Sequence, residues 1–234
     1  MPAPLLEDTV QHALGRRHRD DVALPRTGGP LGNARLTAWT GLLLLVLALA
    51  EVVTLISVRR LIAWHIVIGV LLIPPTVLKI GATGWRMVRY YAGSPDYRRA
   101  GPPPVLLRLL GPVVVVSTIA VLASGSLLVY LGERRSRTSL VTVLGHRIDW
   151  VTVHQVSFAA WAVSTGLHVL GRLVPALRVT RLGATARVAG GASRAVALLL
   201  ALAVAALAAV LVLGASDSWR HDVFELRDGL GHSG

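Results

Sequence analysis

The chain has 234 residues, 53% of them hydrophobic and only 15% charged, and its charges fall between long apolar runs, which excludes an ordinary soluble domain. The absence of cysteine excludes iron–sulfur clusters, disulfides, thiolate-bound zinc and haem attached through a C-x-x-C-H motif. The formal charge of +12 comes from arginines that flank apolar spans without an aromatic-interleaved basic face, which argues against a nucleic-acid partner.

In chain order, residues 1–35 are rich in Arg, Pro and Gly, with one weakly amphipathic stretch at 5–14. They read as a flexible cytoplasmic segment rather than a secretory signal, because the apolar run begins too late and is too long. Five stretches reach the roughly 20 residues that a membrane-crossing helix requires: 36–58, 61–85, 109–132, 150–171 and 195–216. Arg59 and Arg60 alone separate the first two, which predicts a tight antiparallel hairpin. Pro74 and Pro75 interrupt the second, and SPDYRRAGPPP before the third predicts an extended spacer. The fold class is thus all-α: an integral membrane bundle of five helices, with a core at 36–172, a cytoplasmic connection at 173–194, a fifth helix at 195–216 and an extracytoplasmic tail at 217–234. The side shared by the amino terminus and the second and fourth connections carries twice as many Lys and Arg as the other, which places the amino terminus in the cytoplasm of a plasma-membrane protein.

His154 and His168 stand fourteen residues apart in one apolar run, nearly four whole turns, so both project from one helix face about 21 Å apart along the axis. Helices two and four run parallel in this topology, which sets His65 level with His154. Opposed imidazoles at equal depth are what a six-coordinate haem needs, and ionisable groups inside a span are functional candidates by default. Fourteen residues beyond His65, where a second histidine would face His168, stands Lys79. Its amine must pair with an anion, snorkel to the interface, or lose its proton and coordinate metal. Gly111 and Gly125 on the third helix fall at the depths of the inner and outer stations. Either they let a flat macrocycle approach, or they are packing residues. Arg147 and Arg172 could meet propionates, or simply mark helix ends. Phe158, Trp161 and Thr165 either fill the space between two haems or pack the core. Glu51, the one acid inside a span, relays quinol protons or pairs with Arg60, the ion pair being preferred. His12, His18, His146, His221 and His232 lie in soluble segments and are set aside as ligands.

His65 in WHIVIG, His154 in HQVSFAAW, His168 in STGLHVLG and the Gly111/Gly125 pair resemble the bacterial membrane cytochromes b, the four-helix di-haem anchors of formate dehydrogenases and nickel–iron hydrogenases. The segment PPTVLKIGATGWR also resembles actinobacterial membrane proteins and carries no activity with it. The cytochrome resemblance covers residues 36–172 and implies transmembrane electron transfer by haem b, one at the outer station and a second at the inner one, where Lys79 replaces the histidine of many relatives. It implies an electron-transfer subunit rather than a complete enzyme, with a redox partner protein and quinone or a cytoplasmic acceptor. The competing class is a haem-free small transporter or assembly anchor whose polar residues line a cavity or helix interface.

Overall fold

The computed structural model describes residues 3–17, 19–185, 188–215 and 219. Seven helices and one hairpin follow in order: α1 (Ala3–Ala13), α2 (Gly29–Thr54), α3 (Val58–Tyr91), α4 (Pro95–Ala100), α5 (Val105–Ser136), the strands β1 (Val141–Val143) and β2 (His146–Ile148), α6 (Trp150–Thr185) and α7 (Gly191–Ala215). Three apolar stretches are long enough to cross a membrane: Gly29–Tyr91, which holds α2 and α3, then Val105–Ser136 and Gly191–Gly214. They carry exposed Val46, Leu49, Val113 and Leu199, as a multi-pass membrane protein presents to lipid. α6 is not among these stretches, because His154, Gln155 and His168 lower its apolarity.

α2 packs on α3, α3 on α5, α5 on α6 and α6 back on α2, closing a ring of four helices; α7 lies outside it, against α3. The α2–α3 reversal is a 3-10 turn at Leu55–Ser57, so Arg59 and Arg60 belong to the first turn of α3 instead of forming the loop. α3 also runs through Pro74 and Pro75 unbroken. A membrane bundle tolerates proline inside a helix where neighbouring helices compensate for the freed backbone groups, and Pro75 is fully buried among them.

Three connections differ from the sequence expectation. The amino-terminal segment is not loose: α1 docks on α5 and α6, and His12 on it is only 5% exposed. Proline at the start of SPDYRRA opens the short helix α4, where the apolar pattern predicts only a spacer. Gly101 at φ 71 ends that helix ahead of the three prolines. Between α5 and α6, β1 pairs antiparallel with β2 in the register Val141↔Ile148, Thr142↔Arg147, Val143↔His146, across a Leu144–Gly145 turn with both φ values positive (50 and 81). Those are the dihedral signs of a hairpin turn whose twist matches its strands. Arg147 consequently stands on an exposed strand ahead of α6, not one helical face away from His154. The tail expected at 217–234, with His221 and His232, lies outside the described residues except for Trp219, as does His18.

α7 leans on α3 through small side chains, and Ala205 on it is fully buried. Ala205→Leu is expected to overpack that seam and cost about 1–3 kcal/mol. A fall in the apparent melting temperature of about 2–4 °C per kcal/mol would register it. Leu200→Ala at a 61% exposed position serves as the neutral comparison.

Candidate functional site

A half-open cavity of 2640 Å³, lined by α2, α3, α5 and α6 with residues of α1 (His12) and α7 (Ala208, Leu211), runs from Glu133 and Arg137 at one end, past His65, His154 and Phe158, to Lys79, His168 and Arg172 at the other. Ordinary small-molecule pockets occupy about 300–1,000 Å³. Its wall is held between α5 and α6 by a buried hydroxyl pair, Ser117 Oγ and Ser164 Oγ, 2.9 Å apart. Phe158 and Trp161 stack at 5.9 Å between the two ends.

The rings of His65 and His154 lie edge-on to one another, with centroids 6.4 Å apart and planes at 83°. The groups around them fix where each ring carries its proton. Thr54 donates its one hydroxyl hydrogen to the Glu51 carbonyl (2.5 Å), so at 2.9 Å from His65 Nδ1 it can only accept. Glu51 Oε1 accepts from the same nitrogen at 3.0 Å. Ser124 likewise spends its hydrogen on the Ala120 carbonyl (2.7 Å) and accepts from His154 Nδ1 at 3.0 Å. An Nδ1–H donated to these oxygens leaves Nε2 as the lone-pair nitrogen of each ring. The expected Glu51–Arg60 ion pair is replaced by Glu51 on His65, since the 3-10 turn carries Arg60 out to an exposed position.

Gly125 sits where the register of α5 places it, level with His154. A Cβ there would meet His154 Cε1 at 3.1 Å, so the bare backbone makes room for the imidazole itself. A Cβ on Gly111 would meet open space, and Gly111 lines the cavity.

The other end is built differently. Lys79 Nζ donates to the Thr37 carbonyl at 2.9 Å, and a Cβ on Gly41 would lie 2.8 Å from that ammonium, so α2 cradles the lysine. His168 Nδ1 is buried without a hydrogen-bond partner. Arg172 Nη1 lies 3.3 Å from His12 Nε2, which brings a residue set aside from the sequence to the mouth of the cavity. Among the described residues no three His, Cys, Asp or Glu side chains gather as they would around a bare metal ion. The site thus offers one anchored imidazole pair at one end and a cation-rich mouth at the other.

Sequence reasoning overlooked Thr54, Ser124, Gly41 and Arg137. Ser124 is the hydroxyl next to Gly125 in sequence, but about 100° round the helix from it, so the fourteen-residue spacing did not point to it. Gly41 and Thr54 depend on how α2 meets α3, which no spacing within one helix reveals.

His12 has its pKa lowered to about 4, chiefly by burial and then by the guanidinium groups of Arg172 and Arg19. A base with a depressed folded-state pKa leaves the unfolded chain binding more protons between that value and the ordinary one near 6.5. Stability held at neutral pH is therefore lost as pH falls through that window. His12→Gln, which keeps an acceptor for Arg172, should flatten part of the decline in melting temperature between pH 6.5 and 4, measured against the unaltered chain. Comparison with protein-family models, curated proteins and solved structures finds no match for this chain.

Proposed function

We propose that the chain is a b-type cytochrome, a transmembrane electron-transfer subunit that passes electrons between an extracytoplasmic partner and quinone or a cytoplasmic acceptor. The observation that carries this reading is the opposed pair His65 and His154, each with Nδ1 anchored and Nε2 left as a ligand. His65 and His154, with ring centroids 6.4 Å apart, are the two residues that would hold the haem iron. Ligating histidines characteristically donate their second nitrogen to a carboxylate, carbonyl or hydroxyl, which orients the ring and raises its basicity. The half-open cavity of 2640 Å³ beside the pair leaves room for a bulky prosthetic group.

Haem b at this station would supply one-electron redox chemistry. His65 and His154 would hold it. Glu51, Thr54 and Ser124 hold their rings, and Arg59, Arg60 and Arg137, which line the cavity where Arg147 does not, are the guanidinium groups at that end, Arg137 being paired with Glu133 at 2.8 Å. Lys79 is engaged by Thr37, which favours one haem over two. The five-span topology, with the amino terminus cytoplasmic, takes α2, α3, α5, α6 and α7 as the crossings, and a partner protein docks on at least one face.

A reduced-minus-oxidised spectrum of the purified protein tests the core of the reading: a low-spin b-type band is expected, lost or made high-spin in His65→Ala and in His154→Ala. Glu51→Gln should leave the band but weaken haem retention about 10- to 100-fold. Absence of any haem would hand the protein to the transporter or anchor class. Accessibility tags at residues 1 and 234 should report opposite sides of the membrane. In liposomes with dithionite outside, an encapsulated ferric acceptor should be reduced; a haem that reduces while the acceptor stays ferric would rule out conduction.

A further inference from the structure

The cavity mouth farthest from the histidine pair carries more positive charge than its acids neutralise. Asp8 is taken by Arg17 at 2.5 Å, Asp20 by Arg99 at 3.4 Å, and Asp21 by Arg86. Four cations that line the cavity bond only neutral groups: Arg19 donates to the Gly101 carbonyl, Arg178 to that of Gly15, Lys79 to that of Thr37, and Arg172 to His12 Nε2. Arg19 Nε is buried with no acceptor. Among the described residues, Asp21 is the one carboxylate near enough to be felt by both Arg19 and Arg172. Burial first, and then Arg86, push the Arg19 guanidinium down to about 9, as expected of cations gathered without a sufficient counter-charge.

We propose that this mouth is an oxyanion site for a phosphate-class group, held by Arg172 and Arg19 with Lys79 as a third charge. Guanidinium forks match the oxygens of a phosphate two at a time, and the ammonium adds a compact point charge. A second cavity of 540 Å³, bounded by α1 and the Pro102–Pro104 run, shares His12, Arg17, Arg19 and Asp20 with the main one, so the guanidinium of Arg19 stands where the two meet. Basic pockets between membrane helices on the cytoplasmic side take lipid headgroups, and a free phosphate monoester presents the same chemistry. The site does not depend on a haem at the histidine pair.

The test uses the full chain in detergent, with haem content measured alongside. Inorganic phosphate is titrated against chloride at constant ionic strength, and phosphatidic acid against diacylglycerol, with intrinsic tryptophan fluorescence following the melting temperature. A rise with phosphate assigns a free anion, and a rise with phosphatidic acid alone assigns a lipid headgroup. In either case Arg172→Gln and Arg19→Gln should each weaken the apparent affinity about tenfold or more, the scale of one lost charge-assisted bond. Arg19 precedes the ring of helices, so its variant decides the matter alone if Arg172→Gln does not fold. The proposal is overturned if neither probe moves the melting temperature, if the variants respond as the unaltered chain does, or if the response vanishes whenever haem is bound.

Discussion

Polar groups inside an apolar bundle have no water to turn to, and the whole structure answers to that constraint. Hydroxyls meet it first by bonding back to their own helices, as Thr40 does to the Leu36 carbonyl at 2.6 Å and Ser124 to that of Ala120 at 2.7 Å. Having spent its one hydrogen that way, each such hydroxyl can only accept from anything else. This converts Thr54 and Ser124 into fixed acceptors, and fixed acceptors choose the tautomer of the imidazoles beside them. The backbone of a helix thus dictates, through one intermediate atom, which nitrogen of a histidine on another helix stays bare.

The two ends of the cavity solve the same problem in opposite ways. Around His65 and His154 the partners are a carboxylate and two hydroxyls. Around His168 the neighbours are donors and cations, Lys79 and Arg172, and its Nδ1 finds no acceptor. Two histidines fourteen residues apart on one helix therefore live in environments of different chemical character. A periodic pattern distributes side chains evenly along a face, whereas their surroundings come from the helices opposite. The same asymmetry explains why Lys79 bonds a carbonyl of α2 instead of standing in for the histidine that its spacing suggested.

The meeting of His65 with His154 was legible from sequence because it needs only two facts, the turn count along each helix and the parallel course of two of them. Gly125 followed from the same arithmetic. What lay beyond reach was set by contacts between elements that no periodicity records. Arg147 reads as part of a helical approach to His154, but alternation in VTVLGHRI and the positive φ values of Leu144 and Gly145 make it a strand residue on an exposed hairpin. His12 reads as a soluble-segment histidine until α1 is seen to dock its face on α6. Pro74 and Pro75 read as a break, yet the packed ring carries α3 through them. Local rules overstate how much each residue decides when neighbours on three sides are also deciding.

The modest apolarity of α6 carries a consequence for how the chain reaches the membrane. Helix insertion favours leucine, isoleucine, phenylalanine and valine and penalises charged side chains near the bilayer centre, so α6, with His154, Gln155 and His168, gains less from lipid than its neighbours do. α5 precedes it by one short hairpin, is apolar enough to cross by itself, and supplies the Ser117 hydroxyl and the Ser124 acceptor that α6 needs. A segment that is costly alone becomes acceptable beside a partner already carrying its complementary groups. The proposed crossing by α6 thus leans on α5, whose Ser117 and Ser124 hydroxyls meet Ser164 and His154 of α6.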